Sequence, residues 1–331
     1  MSSTATGSVT VPVRSRSARL YIEQTTAVWL RFALFITSCV ALTVLPIYLI
    51  DPYDLLSAKA PVVAEQYKVH YAQLLNDPLW KLPKYDRNPA ENILLGDSQI
   101  EHLRAEDIGP LVGKRYFNLA YGGGTLRESI ATFWHASTKT RLRSVYYGVS
   151  FMAYNANTMN RITLVEKMER NPSDYFYDPC VLQTAFYDAL TLVPGRTVTI
   201  GPGVSPAVFW TMQLDHLKIR YKGIVYPESL NAELHRIADY CRAKGIELTF
   251  VITPQHVDAQ RRVSELGVVE EYAKLKKDLA SLAPTLDYDI PSELTQNRRN
   301  YDDPFHLSSQ ASVEVVRDIW QKKFRWCRRL Q

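Results

Sequence analysis

A chain of 331 residues that is 46% apolar and 22% charged carries enough hydrophobic material for a core, which excludes a wholly disordered protein. The net charge of +5 collects at the two ends, at Arg14, Arg16 and Arg19 and again at Lys322, Lys323, Arg325, Arg328 and Arg329. No basic stripe interleaved with aromatics runs between them, so nucleic acid is not an expected partner.

Residues 1–26 are rich in Ser, Thr and Arg without apolar periodicity, and read as a disordered cytoplasmic tail. Residues 27–50, AVWLRFALFITSCVALTVLPIYLI, hold Arg31 as their sole charge. From Phe32 to Ile50 the run is uncharged and, at about 1.5 Å per residue, spans about 28 Å, close to a bilayer core. A cleaved signal peptide would have a shorter apolar run followed by a small-residue site, which PIYLIDPYD does not offer. Arginines precede the segment while Asp51 and Asp54 follow it, so the expectation is a single-pass anchor with a cytoplasmic N-terminus. The remainder would lie outside the cytoplasmic membrane.

Residues 51–90 read as a juxtamembrane connector with one helix around Val62–Leu75, and residues 91–331 as the folded domain. NILLGDS (92–98), RYFNLAYGGG (115–124), SVYYGVSF (144–151) and IELTFVITP (246–254) are short apolar runs of the kind buried on both faces of a parallel sheet. A helix follows the second from Ser129 to Ala136. Another precedes the fourth, capped by Ser229, with Leu230, Leu234, Ile237 and Cys241 on one face. A last helix begins near Ser309 and carries Val313, Val316, Trp320 and Phe324 at helical spacing. This alternation predicts an α/β fold, a three-layer α/β/α sandwich with a mostly parallel sheet. Residues 152–228 interrupt it as an insertion, with a helix over Val181–Leu192 and a Gly/Pro-rich loop, PGRTVTIGPGVSP. An insertion over the carboxyl edge of a sheet either binds substrate or only packs, and both readings stay open. Outside the membrane segment Cys180, Cys241 and Cys327 are odd in number, which leaves a disulfide and its pairing open. Their spacings match no metal site, and neither metal nor cofactor is expected.

Three segments carry the chemistry. Ser98, in GDSQ, directly follows a buried strand, where its backbone N–H points into the crevice at the carboxyl edge of the sheet. A serine hydroxyl needs a base to take its proton and fixed donors for the oxyanion. In YDDPFHLSS, Asp303 and His306 lie three apart just before the last helix, so Asp303 can hold Nδ1 of His306 and leave Nε2 as the base. In FNLAYGGGT, three glycines after a strand allow close backbone approach and exposed N–H groups.

These motifs resemble the SGNH (GDSL-like) hydrolase superfamily over roughly residues 91–310. The closer resemblance is to membrane-anchored SGNH-like proteins of bacterial surface polysaccharide O-acetylation, including the alginate O-acetylation type. The resemblance implies a flavodoxin-like SGNH fold, Ser98 as nucleophile, Asp303 and His306 as its relay, and the Ser98 and Gly123 N–H groups as oxyanion donors. The third block departs from the pattern: the expected G-x-N-D reads YYGVSFMAYNAN, with Ser150 at the place of the asparagine. Asn155 or Asn157 could fill the gap from a longer loop, and Asn155 is taken as the third donor. Gln99 and His256 are expected to touch substrate, while His102 and His135 read as packing or surface residues.

The resulting expectation is an enzyme of the inner membrane with a periplasmic domain, acting on an O-acyl ester of a surface polysaccharide. O-acetyl transfer is favoured, with a carbohydrate O-acetylesterase and a non-catalytic scaffold or polysaccharide-binding subunit as alternatives. A multi-pass membrane partner that supplies the acyl group is implied by the resemblance alone.

Overall fold

The computed structural model describes residues 16–56, 62–193 and 203–331, with side chains from residue 23 onward. Helix α1 (Arg16–Ile50) contains a 28-residue apolar stretch, Glu23–Ile50, whose most apolar window has a mean hydropathy of 2.3. It is long and apolar enough to cross a bilayer, and Leu30, Phe35 and Leu42 stand exposed on it. The helix begins eleven residues before the expected start of the anchor at residue 27: residues 16–26 are helical, while residues 1–15 lie outside the described residues. Only its last turn enters the domain, through the buried Ile47 and Ile50.

Within residues 51–90 the helix expected over Val62–Leu75 starts three residues later and runs on to Arg87. Helix α2 (Glu65–Arg87) buries Leu79, Leu82 and Tyr85 completely. It kinks at Asn76, whose side chain accepts from Leu79 N at 3.3 Å and so caps the second half, where Pro78 fits the first turn. Beside it Tyr175 donates its hydroxyl to Asp51 at 3.0 Å and accepts from Tyr53 N, tying the end of α1 to the insertion.

The sheet has the order β2-β1-β3-β4-β5-β6, the flavodoxin-like arrangement extended by one edge strand. Strands β1 (Asn92–Leu95), β2 (Tyr116–Asn118), β3 (Ser144–Val149), β4 (Glu247–Ile252) and β5 (Thr285–Asp287) are parallel, and β6 (Arg328–Leu330) runs antiparallel on β5. Ile93, Leu94 and Leu95 are fully buried, as a central strand covered on both faces requires. The short helices α3 (Ser98–Glu101) and α4 (Ala105–Val112) follow β1. Helix α5 (Leu126–Lys139) starts at a Thr125–Glu128 capping box.

The insertion between β3 and β4 divides in two. Helix α6 (Ile162–Arg170), a 3₁₀ turn (Pro172–Tyr177) and α7 (Pro179–Leu190) pack on α2 and on the end of α1. Helix α8 (Pro206–Lys222) packs instead against α10 (Val257–Glu265). Most of the Gly/Pro-rich loop, residues 194–202, lies outside the described residues.

Helix α9 (Glu228–Lys244) starts a residue before Ser229, so Ser229 sits inside it and Pro227 stands at the cap. Helix α5 packs on α9 and α9 on α11 (Val269–Leu282). After α12 (Glu293–Gln296), helix α13 (Ser309–Trp320) is capped by Ser308 and packs against α4. Phe324 lies beyond this last helix with φ +49°, at the turn into β6. Cys180, Cys241 and Cys327 are all free thiols.

Two glycines let β1, β3 and α3 meet. Gly96 has φ +147°, which side chains rarely adopt, and Gly148 lies so close to α3 that a Cβ there would fall 1.8 Å from Ile100 Cγ1. Gly148→Ala should therefore destabilise the fold by about 2–3 kcal/mol, read as a lower urea midpoint at unchanged slope. Adding Ile100→Ala should recover part of that loss; an unchanged midpoint in Gly148→Ala would contradict the packing.

Candidate active site

The backbone reverses at Gly96, and Asp97 then caps α3, its Oδ1 accepting from Gln99 N at 3.0 Å. That turn places Ser98 at the carboxyl end of β1, beside a cavity of about 270 Å³ that Gly123, Gly124 and His306 also line. The Ser98 hydroxyl lies 2.7 Å from His306 Nε2. His306 Nδ1 lies 2.7 Å from Asp303 Oδ2. The other carboxylate oxygen, Oδ1, accepts from Phe305 N at 2.8 Å and His306 N at 3.0 Å. A carboxylate held by two backbone N–H groups fixes the imidazole with its Nδ1 proton inward, which leaves Nε2 free to accept a proton from the Ser98 hydroxyl.

The electrostatics follow. Burial pushes the Asp303 carboxyl up, but the hydrogen bond and charge of His306 and the two N–H groups hold it below the ordinary value. Burial pushes His306 down, while Asp303, with Asp97 and Glu101 behind it, carries it above the ordinary value of about 6.5.

The glycine turn is clamped from both sides. Tyr121 N donates to Gly96 O at 3.1 Å, and a Cβ on Gly124 would stand 2.8 Å from the same oxygen. Asp77 Oδ2, from α2, accepts from Gly122 N at 2.9 Å. Lys81 Nζ donates to Asp77 at 2.8 Å, Glu101 at 2.7 Å and Ala120 O at 2.5 Å. Arg161 donates to Gly122 O at 3.1 Å while paired at 2.7 Å with the fully buried Glu128. Burial raises Asp77 to about 7 against the pull of Lys81. Gly123, with φ +62°, keeps its N–H unbonded among the described residues, as does Ser98. Both are backbone donors available to an oxyanion in the cavity.

Three expected contacts fall elsewhere. Asn155 is not a donor to the cavity: its Oδ1 accepts from Asn157 N at 3.1 Å and Val225 N at 3.2 Å, and its Nδ2 reaches Gly223 O at 3.5 Å. It fastens the β3 loop to the end of α8. Ser150, at the place of the missing asparagine, donates to Asp97 Oδ2 and accepts from Ala153 N at 3.2 Å. No asparagine lines the cavity among the described residues. Gln99 is buried and accepts from Thr253 Oγ1 at 2.5 Å, tying α3 to the end of β4 instead of meeting substrate. His256 is also buried: it caps α10 through Nδ1, packs on Trp210 and Tyr301, and donates its backbone N–H to Pro304 O at 2.9 Å. It braces the loop that carries Asp303 and His306.

The packing role expected of His102 is filled at the site itself. Its ring stacks on His306 with centroids 5.1 Å apart, and its Nδ1–H donates to Leu307 O at 3.1 Å. Burial, then the neighbouring His306, holds it below its ordinary pKa, so a neutral ring supports the base. Its position four residues after Ser98 was the available signal. His135 lies away from the cavity, paired with Asp86 at 2.8 Å.

No family model and no curated protein matches this chain. Solved structures similar to it include a Streptococcus pneumoniae protein provisionally named a platelet activating factor, 11% identical, with a TM-score of 0.39, covering 77% of this chain and 99% of that one. Another is a protein of Bacteroides fragilis NCTC 9343 provisionally named an acylhydrolase, 14% identical, with a TM-score of 0.33 over 79% of this chain and all of the other. A third is a GDSL-like lipase of Bacteroides thetaiotaomicron VPI-5482, 14% identical, with a TM-score of 0.32 over 78% and 95% of the two chains. The chemistry of the site rests on its own geometry.

His306 acts as a base only when neutral, so ester turnover should rise with pH through an inflection above 6.5; its partnership stabilises the fold below 6.5 and that gain is lost as pH rises through the folded value. Asp303→Asn should move the inflection down and cut turnover by about 10³-fold or more in a pH–rate series; an unmoved inflection would contradict the relay. Lys81→Met strips a buried carboxylate of its cation and should cost about 3 kcal/mol in thermal unfolding. Adding Asp77→Asn should restore stability more than turnover, since Gly122 N–H then faces a neutral amide.

Proposed function

We propose that this protein is a membrane-anchored SGNH (GDSL-like) serine acyl-ester enzyme, with its α/β domain outside the bacterial cytoplasmic membrane and its N-terminus inside. The observation that carries the reading is the relay from Ser98 through His306 to Asp303, two 2.7 Å contacts in line at the edge of an open cavity. The exposed apolar α1 supports the anchor, and the cluster of arginines before it supports the orientation.

In the first half-reaction the Ser98 oxygen attacks the ester carbonyl while His306 Nε2 takes its proton. The oxyanion accepts from the Ser98 and Gly123 N–H groups. Collapse breaks the ester C–O bond, the leaving alcohol receives the proton from His306, and the acyl group stays on Ser98. In the second half a hydroxyl attacks the acyl-serine, His306 takes its proton, and Ser98 leaves with that proton returned. A sugar hydroxyl gives O-acetyl transfer to a surface polysaccharide, the outcome favoured by the motif resemblance. Water gives an O-acetylesterase. For transfer, a multi-pass membrane partner is the proposed acyl source.

The cavity lining without an asparagine favours one second reading, a polysaccharide-binding scaffold that retains the relay but turns over slowly. An absent oxyanion donor costs about 3 kcal/mol of transition-state stabilisation. Hydrolysis of p-nitrophenyl acetate by parent and Ser98→Ala separates the readings: the enzyme should lose about 10³-fold or more, whereas equal turnover would remove Ser98 as nucleophile. Added acetyl-free oligosaccharide should gain acetyl mass if the reaction is transfer.

A further inference from the structure

Helix α8 builds one wall of the catalytic cavity. Gln213, His216, Leu217 and Arg220 recur at three- and four-residue spacing, hence on one face, and all four border the cavity of Ser98 and His306. Leu217 is fully buried and seats the helix, Gln213 is half-buried, and His216 and Arg220 are exposed. At its start the helix is pinned to α10, where Trp210 Nε1 donates to Asp258 at 3.2 Å.

Arg220 has no carboxylate partner among the described residues. Residues 1–15, 57–61 and 194–202 contain no Asp or Glu, so the chain has no other acid to offer it. The acid five residues before it, Asp215, is taken by Lys218 at 2.9 Å. The one carboxylate bordering the cavity is Asp97, which is buried, with its oxygens engaged by Gln99 N and the Ser150 hydroxyl. By contrast Arg161, which holds the glycine turn, is matched to Glu128. The cavity wall therefore carries a guanidinium without a counter-charge. The fork of donors on a guanidinium fits a carboxylate or phosphate.

We infer that this face of α8 is a subsite for an anionic group on the ester-bearing sugar, a uronate carboxylate or a sugar phosphate, with Arg220 as its cation and Gln213 and His216 as hydrogen-bonding neighbours. The inference rests on the reading of Ser98 as nucleophile, because it assigns the cavity to a substrate.

The test is calorimetric binding to full-length Ser98→Ala in detergent, which holds ligand without turnover. Three probes are used: an acetylated oligogalacturonate, its carboxyl-reduced neutral counterpart, and that counterpart phosphorylated at the freed hydroxyls. At least one anionic probe should bind about tenfold or more tightly than the neutral one, and which of them does identifies the anion. Arg220→Gln in the same background should erase the preference, Arg220→Lys should keep part of it, and added salt should weaken it. Equal affinity for all three probes, no binding of any, or a preference that survives Arg220→Gln would overturn the subsite. A failure of the nucleophile reading appears elsewhere, as equal ester turnover by parent and Ser98→Ala.

Discussion

The contact between the Ser98 hydroxyl and His306 Nε2 joins residues 208 positions apart, and the rest of the structure is arranged to hold it at 2.7 Å. Each side has its own support. On the serine side, the central strand β1 is fully buried, Gly96 takes a conformation open to glycine, and Asp97 caps the helix that Ser98 begins. On the histidine side, Asp303 accepts from two backbone N–H groups while His256 and His102 hold the loop and the ring. A parallel sheet makes the meeting natural, since its strands all deliver their following loops to one edge. Three glycines, Gly96, Gly124 and Gly148, let those loops close without side chains between them.

The same edge is linked to the segment that follows the apolar helix α1. Helix α1 ends in the domain at Ile47 and Ile50, and α2 carries Asp77 and Lys81 to the turn that presents Gly123. Lys81 touches Glu101 on α3 as well, so one ammonium connects α2, the glycine turn and the helix of the nucleophile. The donors to the oxyanion thus depend on a segment that precedes the sheet in sequence. The two halves of the insertion complement this: α6 and α7 buttress α1 and α2, while α8 forms a wall of the cavity.

Much of this was legible in the sequence where the signal is local. Strands β1 to β4 appear as apolar runs, and GDS, GGG and DPFH each occupy a strand end or helix start, where the structure places them. Strands β5 and β6 were not legible: each has three residues, and neither is followed by a glycine turn like the one that marks the equally short β2. Only the first half of α2 is legible, as the helix expected over Val62–Leu75; Pro78 and Pro83 obscure the second half, which the cap at Asn76 restarts. Asn155, Gln99 and His256 were assigned by proximity in sequence to the site, but each is committed to distant partners: Gly223 to Val225, Thr253, and Pro304 with Trp210 and Tyr301. Side-chain direction of that kind is decided by tertiary packing. Arg220 carried no sequence signal at all, since a lone arginine within an insertion reads as a solvated charge.

The central claim is that His306 and Asp303 activate the Ser98 hydroxyl. It is tested most directly by reacting the folded full-length protein with a fluorophosphonate and mapping the adduct by peptide mass spectrometry. The account predicts a phosphonyl group on Ser98 in the parent and a loss of labelling in His306→Ala of equal fold. Labelling at another serine, or labelling of Ser98 that is undiminished without His306, would contradict it.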